Sequence, residues 1–250
     1  MAKIAIVYYS MYGHIRTLAE AEKKGIEKVE GVSVDVYQIA ETLSEEVLKK
    51  MYAPAKAADI PVLEDPSTLE QYDAFLIGIP TRYGNFPAQW KTFWDKTGKQ
   101  WQSGGFYGKL AGLFISTASL GGGQESTALA SISTLAHHGI IYVPFGYAKA
   151  FGQLTDLSEV HGGGPWGAGT FASGDGSRQP SERELEIATI QGEVFAQTQE
   201  ESNGASKPAA AAAEPAASAK KSEHPRQPAE QVEGEAKGGP CGLPSKCIVL

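Results

Sequence analysis

The chain has 250 residues and a formal charge of −7, with 42% hydrophobic and 20% charged residues, an apolar fraction that supports one large core or two small ones. An acidic chain without a basic stripe argues against nucleic acid as the main ligand. Both cysteines, Cys241 and Cys247, lie in the last ten residues, which excludes a disulfide scaffold, a zinc finger or a thiol catalyst within a folded domain. The last aromatic residue is Phe195, and six of the 14 prolines follow residue 200. Residues 1–200 are therefore expected to form a folded domain, and 201–250 a disordered tail unable to bury a core. The tail's six basic and six acidic residues balance, so the whole net charge falls on the domain. No stretch reaches the 18 or so apolar residues of a spanning helix. MAKIAIVYYS runs straight into a strand without a signal peptide's longer apolar region, and Ala2 rules out N-myristoylation. The domain is expected to be soluble and cytoplasmic.

Residues 3–9 (KIAIVYY) read as a strand covered on both faces. A polar turn, 10–14, precedes a helical pattern over 15–30, where Ile15, Leu18, Ala19, Glu22, Ile26 and Val29 share one stripe and Glu22 is its polar intruder. Gly31 stops the helix. Residues 32–37 alternate as a second strand nearer an edge. A short helix over 44–51 and a less regular stretch to Pro66 follow. A third strand, 74–79, is closed by Pro80, and the loop 81–87 leads to a helix at 88–96. Next come a fourth strand at 109–115, the glycines 121–123, a helix over 126–138 and a fifth strand at 140–143. A long glycine-rich loop ends at Ser181, which forms with Glu184 a capping box opening the last helix. Strands alternating with helices imply parallel pairing and right-handed crossovers. The expected fold is α/β, a flavodoxin-like doubly wound sheet of five parallel strands in the order 2-1-3-4-5.

Ligands of such sheets bind beyond the carboxyl ends of the strands, where the strand order reverses. This rule selects three loops. The first, residues 10–15 (SMYGHI), sets backbone N–H groups and a positive helix end toward an anion, with a hydroxyl from Ser10 and a tight turn at Gly13. It has no lysine or arginine and matches neither the triphosphate nor the dinucleotide glycine motif. It suits a single phosphate monoester such as that of FMN, or it is an ordinary strand-to-helix turn. In the second, Thr81, Arg82, Tyr83, Gly84, Asn85, Phe86 and Pro87 offer a ring, a cation and bare backbone, suited to a flat electron-accepting ring system. The alternative makes Tyr83 and Phe86 core anchors and Arg82 a solvated residue. The third, 116–124, offers hydroxyls and three consecutive glycines, which favour close backbone approach to a ligand. No G-x-S-x-G elbow occurs. His137 and His138 are adjacent on a helix and make a poor metal pair, although one of them can reach a ligand and the other hold a structural bond.

The stretches YYSMYGHI, PTRYGN, KLAGLF…GGGQE, TLAHHG and GDGSRQPSERELEIATIQGE resemble, over residues 2–197, the tryptophan-repressor-binding-protein-like NAD(P)H:quinone oxidoreductases, flavodoxin-like FMN proteins that are typically tetrameric. The resemblance implies that Ser10, Met11, Tyr12, Gly13, His14 and Ile15 hold the FMN phosphate, and that Thr81, Arg82 and Tyr83, with Gly84 and Asn85, hold the isoalloxazine. Ser116, Thr117, Ala118, Ser119, Gly121 and Gly122 would complete the flavin site, with His137 facing it. Tyr12 would touch the nicotinamide cofactor and Trp101 the quinone. Departures from the family pattern are Ala118 for glycine, one extra residue at Leu120, Tyr83 for phenylalanine and Trp166 for tyrosine. The implied reaction is a ping-pong, two-electron transfer from NADH or NADPH through FMN to a quinone, with His137 and Arg82 stabilising charge on the quinone oxygen. Two other classes remain: a flavodoxin-type electron carrier, and a membrane-associated interaction or sensor flavoprotein.

The chain ends Cys247-Ile-Val-Leu250, a C-a-a-X pattern of the geranylgeranyl type, which implies a eukaryotic prenylated protein. One lipid needs a second signal, and S-palmitoylation of Cys241 is the available one. The expected place is the cytoplasmic face of a membrane, the plasma membrane first, where a homotetramer would multiply the anchors.

Overall fold

The apolar runs of the sequence become strands of one parallel sheet in the computed structural model, which describes residues 1–205. In chain order the elements are β1 (Ala2–Tyr8), α1 (His14–Ile26), β2 (Val32–Ile39), α2 (Glu45–Lys50), β3 (Val62–Leu63), β4 (Ala74–Pro80), α3 (Ala88–Asp95) and α4 (Gly98–Ser103). Then follow β5 (Leu110–Thr117), α5 (Gln124–His137), β6 (Ile141–Tyr142), α6 (Phe151–Thr155), β7 (Gly169–Phe171) and α7 (Glu182–Ala205). The sheet runs β3-β2-β1-β4-β5-β6, with β7 also on β5.

The expected order of five strands is present as β2-β1-β4-β5-β6, and two short strands extend it to seven. β3 pairs with Gln38 and Ile39, the last two residues of β2. β6 pairs with Leu110 and Ala111, whereas β7 pairs with Ile115, Ser116 and Thr117. Because β4 covers the opposite edge of β5 from Leu110 to Ser116, β6 and β7 divide its remaining edge between them.

Alternation along the central strands builds a core on each face. On one, Ala5, Val7, Phe75, Ile77, Leu113 and Ile115 meet Trp90, Phe93 and Trp94 of α3 and Ala128 and Leu135 of α5. On the other, Ile4, Ile6, Tyr8, Leu76 and Phe114 meet Ile15, Leu18 and Ile26 of α1 and Ile187, Ala188 and Phe195 of α7. Helices α1 and α7 touch backbone to backbone: a Cβ on Gly192 would stand 2.1 Å from the Glu22 carbonyl oxygen. This crossing encloses Glu22, 0% exposed, with neither carboxylate oxygen bonded. Burial pushes its pKa well above the usual carboxylate range.

Candidate functional site

The carboxyl ends of β1, β4 and β5 bring the three expected loops together around a cavity of about 330 Å³. Its walls are Ser10, Met11, Tyr12, His14 and Ile15 from the first loop, Pro80, Thr81 and Arg82 from the second, and Ser116, Thr117 and Ala118 from the third. Gly13 shapes the first loop without lining the cavity. Its φ of 97° lies in the left-handed region, and its N–H donates to Ser10 Oγ at 3.1 Å. Helix α1 then begins at His14 with no side-chain cap, so its first-turn N–H groups have no partner within the helix. His14 itself is 5% exposed, and its Nε2 is buried without a hydrogen-bond partner. An uncapped helix start, an orphaned buried imidazole nitrogen and the Ser10 hydroxyl fit a phosphate monoester.

A partly buried carboxylate, 14% exposed, is tied to this loop through Lys56. Glu41 accepts from Tyr9 Oη at 2.8 Å, Lys56 Nζ at 2.9 Å, Gln89 Nε2 at 2.7 Å, and the N–H groups of Thr42 and Leu43 at 2.9 and 3.1 Å. Lys56 Nζ also donates to the carbonyl oxygen of Ser10 at 2.8 Å and stands 4.5 Å from the centre of the Tyr9 ring. Burial alone would raise the Glu41 pKa, but the bonds from Lys56, Tyr9, Leu43 and Gln89 outweigh it and hold the pKa at about 2. The phenol of Tyr9 is pushed up by burial and by its bond to Glu41.

The second loop is a tight turn. Arg82 and Asn85 exchange backbone hydrogen bonds of 2.9 and 3.1 Å, with Tyr83 at φ 53° and Gly84 at φ 73° between them. The Tyr83 side chain is fully exposed at 105%, while Phe86 packs on Trp90 and Trp94. Core anchoring therefore describes Phe86 and not Tyr83. Arg82 Nη1 donates to the Thr81 carbonyl oxygen at 2.8 Å, and Thr81 Oγ1 bonds Thr127 Oγ1 at 2.7 Å. In the third loop Thr117 Oγ1 donates to the Ser119 carbonyl oxygen at 3.0 Å, and the Gly122 N–H reaches the same oxygen at 3.0 Å. Tyr83, Gly84, Asn85, Ser119, Gly121 and Gly122 stand outside the lining of this cavity. Gly121 borders a neighbouring apolar cavity of about 520 Å³ with Leu120, Leu129 and Trp166.

Two expected residues do not reach the cavity within one chain. Helix α5 starts at the third loop and runs back toward the amino ends of the strands. His137, its exposed last residue, is therefore 14 residues, or about 20 Å, from that loop. Trp101 of α4 is 61% exposed, and its neighbour Gln100 bonds Glu70 at 2.7 Å, just ahead of β4. His138 takes the structural role, with Nε2 2.9 Å from Thr97 Oγ1 and its ring against Trp94 and Phe106. Burial lowers its pKa, aided by His137.

Sequence reasoning missed Met51 and a fourth wall, residues 172–176, both of which line the cavity. The fourth loop leaves the carboxyl end of β7, so the rule that found the other three applies to it as well. Its signal was faint, because β7 is only the three residues GTF in a glycine-rich stretch. Glu41 and Lys56 fell in or beside the stretch read as irregular. Cys241 and Cys247 lie outside the described residues. Among the described residues no helix is long and apolar enough to cross a membrane.

A family model described as NADPH-dependent FMN reductase matches residues 3–152. Over 193 residues the chain is 67% identical to Minor allergen Alt a 7 of Alternaria alternata, covering 77% of this chain and 94% of that protein. It is 61% identical over 196 residues to the NAD(P)H quinone oxidoreductase PST1 of Candida albicans, covering 78% and 96% respectively. Among solved structures, the flavodoxin, WrbA-like protein from Agrobacterium tumefaciens aligns with a TM-score of 0.53 at 24% identity, covering 80% of this chain and 99% of that one. This last likeness shows the fold.

Proposed function

The chain belongs to the NADPH-dependent FMN reductase family, and from that membership we propose that it is an FMN-dependent NAD(P)H:quinone oxidoreductase. The observation that carries the reading is the cavity at the ends of β1, β4 and β5, where an uncapped helix start and the orphaned His14 nitrogen await an anion. Relatives named NAD(P)H quinone oxidoreductase, 61% identical in one case, support the choice of substrates. Bound FMN would supply the redox chemistry, two-electron transfer between NADH or NADPH and a quinone. The chain's own residues bind and orient. Ser10, His14 and the α1 N–H groups hold the phosphate. Arg82, in the second loop's part of the wall, brings a fixed positive charge to a site where negative charge develops. Half-exposed Tyr12, whose hydroxyl donates to the Met51 carbonyl oxygen at 3.3 Å, braces the far wall beside Met51.

The same proposal includes a homotetramer, which the family resemblance implies. His137 and Trp101, both exposed, would then meet a cavity across an interface with another copy. It also includes attachment to the cytoplasmic face of a membrane through Cys247, with Cys241 as the second acylation site.

The test is a titration of the purified chain with FMN, followed anaerobically by NADPH or NADH and then benzoquinone. Bleaching of the bound FMN spectrum by one equivalent of donor, and recovery by one equivalent of quinone, is the expected result. FMN binding without reduction by either donor would point to an electron carrier, and no FMN binding would overturn the enzyme.

A further inference from the structure

The fourth wall lies beyond the residues matched by the family model, which end at 152. None of residues 172–177 is fully buried, so burial of its own side chains does little to hold this loop at the cavity. A segment with so little burial opens at low cost unless its ends are fixed. Its ends are fixed. Ala172 N–H donates to the Thr117 carbonyl oxygen at 2.8 Å, extending the β5–β7 register into the third loop, and Arg178 N–H closes the loop onto the Ala172 carbonyl oxygen at 3.1 Å. Arg178 Nη1 reaches the carbonyl oxygen of Phe171 at 2.7 Å and both Glu184 oxygens at 3.1 and 2.9 Å, while Nη2 reaches the Val160 carbonyl oxygen at 3.0 Å.

Glu184 is the fixed point of this arrangement. It is 0% exposed and also accepts from Thr170 Oγ1 at 2.7 Å, from Gly162 N–H at 2.8 Å and from Ser181 N–H at 2.8 Å. A carboxylate with so many donors has one position, and the planar guanidinium, with Nη1 shared between its two oxygens and Nη2 on the Val160 carbonyl oxygen, has little freedom left. The ion pair therefore joins the start of α7, the strand β7 and the near end of the cavity-lining loop.

We propose that Arg178, locked onto buried Glu184, is a positioning residue that holds loop 172–176 as the fourth wall of the cofactor cavity and thereby sets how slowly FMN leaves. The proposal rests on the FMN reading above. The loop carries Ser173, Gly174, Asp175 and Gly176 to the cavity, and Asp175 is itself tied down by the N–H and hydroxyl of Ser177 at 3.0 and 2.8 Å.

The full chain is compared with Arg178→Lys and Gly176→Ala, with flavin fluorescence giving the FMN dissociation constant and release rate, and apoprotein melting giving the stability. Removing the cation altogether would strand a buried charge and test the fold instead. Lysine keeps the charge beside Glu184 but cannot span Phe171, Glu184 and Val160 together, so R178K separates charge from positioning. Gly176 has φ 75° with open space around it, so G176A strains the loop without touching the ion pair. The expected result is near-wild-type melting of both variants, with FMN release roughly tenfold faster in R178K and faster in G176A as well. Wild-type retention of FMN by either variant overturns the proposal. A wild-type chain that fails to bind FMN overturns the cofactor reading, and the proposal with it, in an arm that contains no substitution.

Discussion

Two buried side chains with unbonded atoms mark opposite uses of burial. His14 lines the cavity and keeps a buried Nε2 without a partner, which a charged ligand can complete. His14→Ala is expected to weaken FMN binding by about 1.5–3 kcal/mol, roughly 10- to 100-fold in Kd, and to leave riboflavin, which lacks the phosphate, nearly unaffected; paired fluorescence titrations of the two flavins check this. Glu22 has no cavity to serve. Its folded pKa is raised by burial, so its proton contributes stability fully below the unfolded value and loses it as pH rises toward the folded one. Glu22→Gln is therefore expected to melt close to wild type near pH 4 and a few degrees higher at pH 8, with the gap opening steadily between; melting curves across that range decide it. Glu22 was legible as an intruder on an apolar stripe, because helical spacing alone places it there. Its complete enclosure was not, since that depends on Gly192 bringing α7 into backbone contact.

Elements meet at Glu41. It follows β2, yet it binds Tyr9 after β1, Lys56 before β3 and Gln89 at the start of α3, so one carboxylate keeps the first loop in register with the helix behind the second. Its pKa near 2 lies below the unfolded value, so its stabilisation is present above about pH 4.5 and is lost as pH falls toward 2. Glu41→Gln is expected to cost roughly 2 kcal/mol at pH 7 and progressively less on acidification; urea unfolding at pH 7 and pH 3 measures both. Such a hub is hidden in sequence because its partners lie 32, 15 and 48 residues away. The central strands, by contrast, were readable, since buried parallel strands are continuous apolar runs and their order follows from right-handed crossovers. The S-x-x-E box at Ser181 was readable too, and the Glu184 N–H does meet Ser181 Oγ, at 3.3 Å. Short β6 was found because it sits in the apolar run 140–143, whereas β3 and β7, two and three residues without such a run, were missed, and the fourth wall with β7.

For the whole molecule, the loops that share one end of the sheet could be found from strand order, but the end to which a helix-terminal residue returns could not be overlooked without error. His137 belongs to a sequence block of the resemblance and Trp101 was matched to a family contact outside those blocks; such matches record neighbourhood in a family without saying whether one chain or two supply it. The direction of α5, away from the third loop, is the physical fact that separates His137 from the cavity of its own chain. The C-a-a-X ending makes a claim at this scale as well. If Cys247 is prenylated as proposed, Cys247→Ser moves the protein from the membrane pellet to the supernatant in fractionated eukaryotic cells. An unchanged distribution would remove lipidation from the account. The two short strands on the free edge of β5 have a further meaning. β6 leaves the sheet at Tyr142 and β7 rejoins it at Gly169, opposite residues only four apart, Ala111 and Ile115, or about 13 Å along the strand. The intervening excursion thus begins and ends on one rail, and lengthening a closed excursion is entropically inexpensive. A short reporter peptide inserted after exposed Leu157 should leave the melting point and FMN affinity within error of wild type, making this segment a cassette in which the architecture can be extended without disturbing its chemistry.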